Sequence, residues 1–243
     1  MRIDTALIAL ATGAALAAVP SPVRAQSFEM PGRQGPPRFF GGAELIYARP
    51  QGAFANYVSQ GWGAAGHFLW AVDPHGILAL RIDGGYLQYG NERKRACLST
   101  TIGCRIVVDV NTSNNIVFAG IGPQLMAPTG SFRPYVNGTA GFSYFFTQSS
   151  VSGRDDLNTT FASTNFHDAV FSTAAGGGVY IPVTVSKTRF SIDVGATYRW
   201  NGRTRYLREG GITDLPDGSI QVEPIESRTD LLNYHLGVSF GAR

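Results

Sequence analysis

The chain has little charge, few cysteines and, beyond its first 25 residues, no long apolar run. Only 15% of its 243 residues are Asp, Glu, Lys or Arg, and the formal net charge is +3, falling to +2 once Arg2, Arg24 and Asp4 are set aside with the N-terminus. A nucleic-acid partner calls for clustered Lys and Arg and a strong positive bias, so none is expected. No segment after residue 25 offers the roughly 20 apolar residues that a membrane helix needs. If the mature protein sits in a membrane it must do so as a closed barrel, because only helices and closed barrels satisfy every backbone group in lipid. The two cysteines, Cys97 and Cys104, have no His, Asp or Glu between or beside them, so further metal ligands are missing. In an exported chain their spacing suggests a disulfide closing a small polar loop. Gly176-Gly177-Gly178 lacks the Lys-Ser/Thr that follows in a phosphate loop, and no cofactor is expected.

What is present begins with an export signal. Arg2 supplies a positive start, Ile3 to Val19 an Ala/Leu-rich apolar core, and Val23-Arg24-Ala25 a small-x-small cleavage site before Gln26. Residues 1–25 therefore read as a signal peptide and residues 26–37, rich in Pro and Gly, as a linker without periodicity. Residues 38–243 remain as one domain, ample for a β-barrel.

Within that domain eight segments read as strands: Phe39–Arg49, Trp62–Val72, Leu78–Tyr89, Asn115–Met126, Arg133–Phe146, Ala169–Ile181, Arg189–Trp200 and Leu231–Phe240. In the last, Leu232, Tyr234, Leu236, Val238 and Phe240 alternate with Asn233, His235, Gly237 and Ser239, a period of two with one apolar and one polar face. The seventh segment sets Phe190, Ile192, Val194, Ala196, Tyr198 and Trp200 against Ser191, Asp193, Gly195, Thr197 and Arg199. The third and fifth also alternate, whereas the first, second, fourth and sixth carry Gly and Ala on both faces. Connections after the second, fourth and sixth segments are short and built on Pro74, Pro128 and Pro182; the others are longer and polar. Short turns at one rim and long loops at the other are the layout of outer-membrane barrels.

Alternation alone also fits a soluble lipocalin-like cup with its apolar face inside. The aromatics favour a membrane barrel. Tyr86, Tyr144, Phe146, Tyr198 and Trp200 cluster near one end of their strands and Phe240 near the other, as an aromatic girdle does. On these features the chain resembles the small bacterial outer-membrane β-barrels, the OmpA transmembrane domain and OmpX-type proteins. The resemblance implies an all-β, eight-stranded antiparallel up-and-down transmembrane barrel in the outer membrane. It further implies a monomer, lipid and lipopolysaccharide as surroundings, and delivery by the barrel-assembly machinery.

An eight-stranded barrel is just wide enough inside for its own side chains. Glu44, Arg81, Asp83, Asp193 and Arg199 are accordingly expected to form a plugging network of paired interior charges, with a narrow pore as the alternative. A lipid A-modifying enzyme would need a nucleophile and base within reach. His235 and Ser239 share a face but stand too far apart to bond, His167 and Asp168 point to opposite faces, and His75 is a turn residue, so no catalytic role is expected. The run Glu92-Arg93-Lys94-Arg95 reads as a solvated loop, with lipopolysaccharide phosphates as the alternative partner.

Overall fold

The computed structural model describes residues 38–97, 107–152, 161–184, 189–214 and 220–242. They form β1 (Phe39–Pro50), β2 (Gly61–Ala71), β3 (Leu78–Cys97), β4 (Val107–Met126), β5 (Arg133–Ser152), β6 (Phe161–Thr184) and β7 (Arg189–Asn201), then the short β8 (Arg203–Tyr206), β9 (Ile212–Asp214), β10 (Ile220–Val222) and β11 (Ile225–Arg228), and finally β12 (Leu231–Ala242). β1 to β7 and β12 close into one antiparallel barrel in the order β1-β12-β7-β6-β5-β4-β3-β2. The seam runs from Phe39↔Ala242 to Pro50↔Leu231 without a break, so the barrel itself has no free edge.

Burial runs opposite to a soluble barrel. The apolar parity of each strand faces out: Leu45, Phe68, Ile82, Val117, Val136, Phe142, Val194 and Leu236 are all exposed. The inward parity carries Glu44, His67, Arg81, Asp83, Asp193, Arg199, Asn233 and His235, all buried. Aromatics gather toward the two rims of the outer face. Tyr47 packs on Trp62 and Tyr234, and Tyr198 on Trp200, at one rim; Phe39 stacks on Phe68 at the other.

The strands are longer than alternation suggested. β3 and β4 stay paired beyond a register shift at Gln88/Gly90, out to Cys97↔Val107, and β5 and β6 continue to Val151↔Phe161. At ~3.3 Å per residue, Gly90–Cys97 alone adds about 25 Å of ladder. Segments expected as loops are largely strand because their cross-strand partners are Ser, Thr and Asn rather than apolar residues. Thr112 bonds Ser149, and Asn165 donates to Ser149. The polar parity that weakens the sequence signal is what suits a sheet wet on both faces. Likewise, the polar connection after β7 contains two short antiparallel pairs, β8 with β11 and β9 with β10. Pro74 and Pro128 lie in turns, but Pro182 lies inside β6 beside a register shift to Thr184. Cys104 and the side chain of Cys97 fall outside the described residues, as do the proposed signal peptide and the whole linker.

The turn between β2 and β3 is set by Asp73. Its carboxylate accepts the N–H groups of His75 at 3.0 Å and Leu78 at 2.7 Å, and Gly76 takes φ 74°, which a side chain would strain. Desolvation works against the charge, but the bonds from Leu78 and His75 outweigh it and hold the carboxyl below its ordinary value. A depressed folded-state value means the contribution is present above the unfolded pKa and lost as pH falls through the folded one. Asp73→Ala is expected to destabilise the barrel at neutral pH, as seen in urea unfolding in vesicles, with the difference from wild type shrinking in acid.

Candidate functional site

The lumen is filled in three layers. The middle layer is polar. Arg199 donates to Asp83 at 3.3 Å and to Ser172 at 3.4 Å, with its guanidinium 4.1 Å from the Phe118 ring centre. Arg81 donates to Gln124 at 2.9 Å and lies 3.9 Å from both Glu44 and Asp83. The five charges singled out in the sequence are thus all buried in this layer, and salt bridges join four of them. Asp193 instead accepts from the Tyr135 hydroxyl at 2.8 Å, and that hydroxyl lies 2.9 Å from His235 Nε2. His67 Nδ1 stands 3.7 Å from Glu44.

Two imidazoles fit inside so narrow a barrel because each lies over a glycine of the adjoining strand. His67 is paired with Gly42 and His235 with Gly195, where an added Cβ would run into the ring. Gly42 is therefore a packing requirement of His67, and Gly195 of His235. A cavity of about 20 Å³ remains among Glu44, Arg81, Asp83, Arg199, Asn233 and His235, room for about one water.

The layers above and below are apolar. Toward the rim formed by the first residues of β1 and β3, Phe40, Leu69, Ala79, Met126, Tyr135 and Tyr180 pack together. Tyr135 stacks on Tyr180 at 4.5 Å, and Arg133 binds the Ala127 carbonyl beneath them. Toward the opposite mouth lie Ile46, Leu87, Ile116, Phe118, Phe145 and Leu231. Over these folds the loop after β1, whose Phe54 is completely buried, edge-on to Tyr206 at 4.9 Å and Tyr89 at 5.6 Å. Tyr206 comes from β8 and bonds Ser227 of β11, while Tyr89 donates to the Leu207 carbonyl. Two loops far apart in sequence therefore close one mouth with a single aromatic cluster.

Tyr135, Tyr180, Gln124 and His67 escaped the sequence reading. The signal was available for Tyr135: with Asn137, Thr139 and Ser143 it lies on the polar parity of its strand, where an aromatic points inward. The six girdle candidates sit on the outer parity. Tyr86, Trp200 and Phe240 are exposed, and Tyr144, Phe146 and Tyr198 partly so. Tyr86 also donates to Asn115 across the rim.

The run Glu92–Arg95 is engaged in the extended wall. Arg93 and Arg95 both reach Asp109, at 2.8 and 3.8 Å, while Lys94 bonds Glu92 at 3.1 Å and the Ile212 carbonyl. Glu92 accepts from Gly210, and Glu209 from Asn91, so this ladder holds the loop after β8 in place. Of the histidines, His167 is exposed on the outer parity beside Tyr144 and His75 is exposed in its turn. Among the described residues no serine hydroxyl bonds a histidine, and Ser239 is buried in the inner layer.

An apolar outer band, aromatic rims and a filled lumen with a buried polar layer, within a closed sheet, decide the architecture. The fold is that of a small outer-membrane β-barrel. Neisserial surface protein A is similar over 86% of this chain and 100% of its own, at 12% identity and a TM-score of 0.45. The attachment invasion locus protein of Yersinia pestis covers 85% of this chain and 98% of its own, at 11% identity and 0.37. The N-terminal β-barrel domain of Pseudomonas aeruginosa OprF covers 86% and 100%, at 14% and 0.34. No protein-family model and no curated relative matches the sequence.

Proposed function

We propose that the protein is a sealed outer-membrane anchor, without catalytic activity, that carries an ordered β-wall on the cell surface for surface contact or envelope integrity. On this reading residues 1–25 are removed on export and residues 26–37 tether the barrel at its periplasmic rim. The barrel works as a monomer in outer-membrane lipid and lipopolysaccharide after delivery by the assembly machinery. The observation that carries the reading is the lumen: a layer of interlocked charges enclosed between two apolar layers, one of them topped by the fully buried Phe54. Ions crossing it would have to pass apolar packing and then break buried ion pairs, and each step is costly in a low dielectric. The grouping of Tyr135, Asp193 and His235 lies between those layers, out of reach of a lipid substrate on the outer surface.

Planar-bilayer recording of the purified barrel tests this. No conductance steps are expected; discrete, reproducible steps would replace the anchor with the narrow pore. Lipid A mass spectra from cells with and without the protein are expected to be identical, and a lost or gained acyl chain would assign the enzyme instead.

A further inference from the structure

Glu44, Asp193 and His235 bring two carboxylates and an imidazole together in the enclosed middle layer. One donor atom from each lies within 4.8 Å of the other two, and all three residues are buried. A second, independent observation comes from hydrogen bonding. Glu44 Oε2 and Asp193 Oδ2 are buried and accept no hydrogen bond within the protein, although Glu44 is only 9% exposed and Asp193 not at all. Asn233 Oδ1, on a side chain 4% exposed that lines the same cavity, also lacks a donor. Buried acceptors are ordinarily satisfied, and two buried carboxylate oxygens without donors, that of Glu44 on the cavity wall it shares with Asn233, are the complement of a cation.

The neighbouring cations do not fill this role. Arg199 is committed to Asp83, Ser172 and the Phe118 ring. Arg81 donates to Gln124 and reaches Glu44 only at 3.9 Å, and His67 stands 3.7 Å from Glu44. The ring of His235 is 3.7 Å from Asp193, beyond hydrogen-bond reach. Tyr135 occupies Asp193 Oδ1 and leaves Oδ2 without a partner. Asp83 is the principal partner of Arg199 and lies near Arg81, so the surplus negative charge of the layer rests on Glu44 and Asp193.

We propose that Glu44, Asp193 and His235 hold a divalent first-row cation, zinc above all. Imidazole nitrogen and carboxylate oxygen are donors that zinc accepts in a four-coordinate shell, with the Asn233 amide oxygen or a water in the cavity as the fourth. Bond lengths of about 2.0–2.2 Å require the three donors to draw closer than they stand, and a ring nitrogen of His235, whose Nε2 is 2.9 Å from the Tyr135 hydroxyl, to turn to the ion. Two carboxylates, a neutral imidazole and a divalent ion form a neutral unit, the form a low dielectric favours. Arg81 and Arg199 then share Asp83, Arg81 also donating to Gln124 and Arg199 to Ser172 with its guanidinium over the Phe118 ring. Because apolar layers lie on both sides, the ion is captured as the barrel closes and exchanges slowly afterwards. The site is independent of what the surface wall contacts.

The test is to refold the full mature chain in vesicles with Zn²⁺ or with chelator, pass both through chelator, and measure bound metal. One zinc per barrel is expected from the first preparation and none from the second. Asp193→Asn and His235→Gln are each expected to lower retention by more than the roughly 10–100-fold that losing a merely supporting group costs, with heat-modifiable gel migration intact. Zinc retained by wild type at no more than the level of the two variants would overturn the site. Should the variants fail to fold, zinc-edge X-ray absorption on the wild type decides. Nitrogen and oxygen ligands with an imidazole signature support it, and sulfur ligands from the cysteines, or no retained metal, overturn it.

Discussion

Replacing Leu236 with arginine is expected to cost the folded barrel about 2–4 kcal/mol, the penalty for a guanidinium on the lipid face near the bilayer midplane. Leu236 is 58% exposed and lies midway along β12, with Leu45 and Val194 beside it on the neighbouring strands. Tyr234 and Phe240 mark the girdle on either side. The same change four residues nearer the mouth, Leu232→Arg, adjoins Arg49 and is expected to cost only about 0–1 kcal/mol. Urea unfolding in lipid vesicles measures both. The contrast tests whether lipid surrounds the apolar outer face. If this barrel stood in water, Leu236 would be an exposed surface residue, and arginine there would cost almost nothing. Equal, small effects at both positions would remove the membrane from the account.

Arg199→Ala is expected to destabilise the barrel by about 3–5 kcal/mol, because it strips the main partner from the buried Asp83 carboxylate and removes the cation over Phe118. Most of that cost is the stranded charge rather than the lost attraction. Adding Asp83→Asn to Arg199→Ala should therefore recover a substantial part of it, giving a coupling far from additivity in a double-mutant cycle. Arg81, 3.9 Å from Asp83, limits the loss by holding some countercharge nearby. If the single variant unfolds like wild type, the middle layer is hydrated and the pairs contribute little, as exposed pairs do.

The architecture was legible because lipid and lumen impose opposite chemistry on alternate residues, and strands such as β7 and β12 record that opposition without a gap. The layers within the lumen were not legible. Ile46, Leu87, Ile116 and Phe145 lie on the inward parity yet are apolar, so they blurred the alternation in β1 and β4 and gave no warning that the polar layer is enclosed. Nor could alternation bring Phe54 and Tyr206 together, since their contact depends on how two loops cross a mouth. The charges were found by type and parity. Their partners were harder to find, because Gln124, Tyr135 and His235 reach them from other strands of the barrel.

The unbroken ladder between β1 and β12 has one more consequence. Seven of the eight strand pairings join successive barrel strands and can zip locally as hairpins, while this one must bring together segments from opposite ends of the domain. Its loop-closure entropy is offset only when the whole sheet has curled far enough for the ends to meet. Until then two bare strand edges are open to pairing with other chains. The seam is therefore the kinetic checkpoint of the molecule, the step that converts an aggregation-prone curved sheet into a closed cylinder.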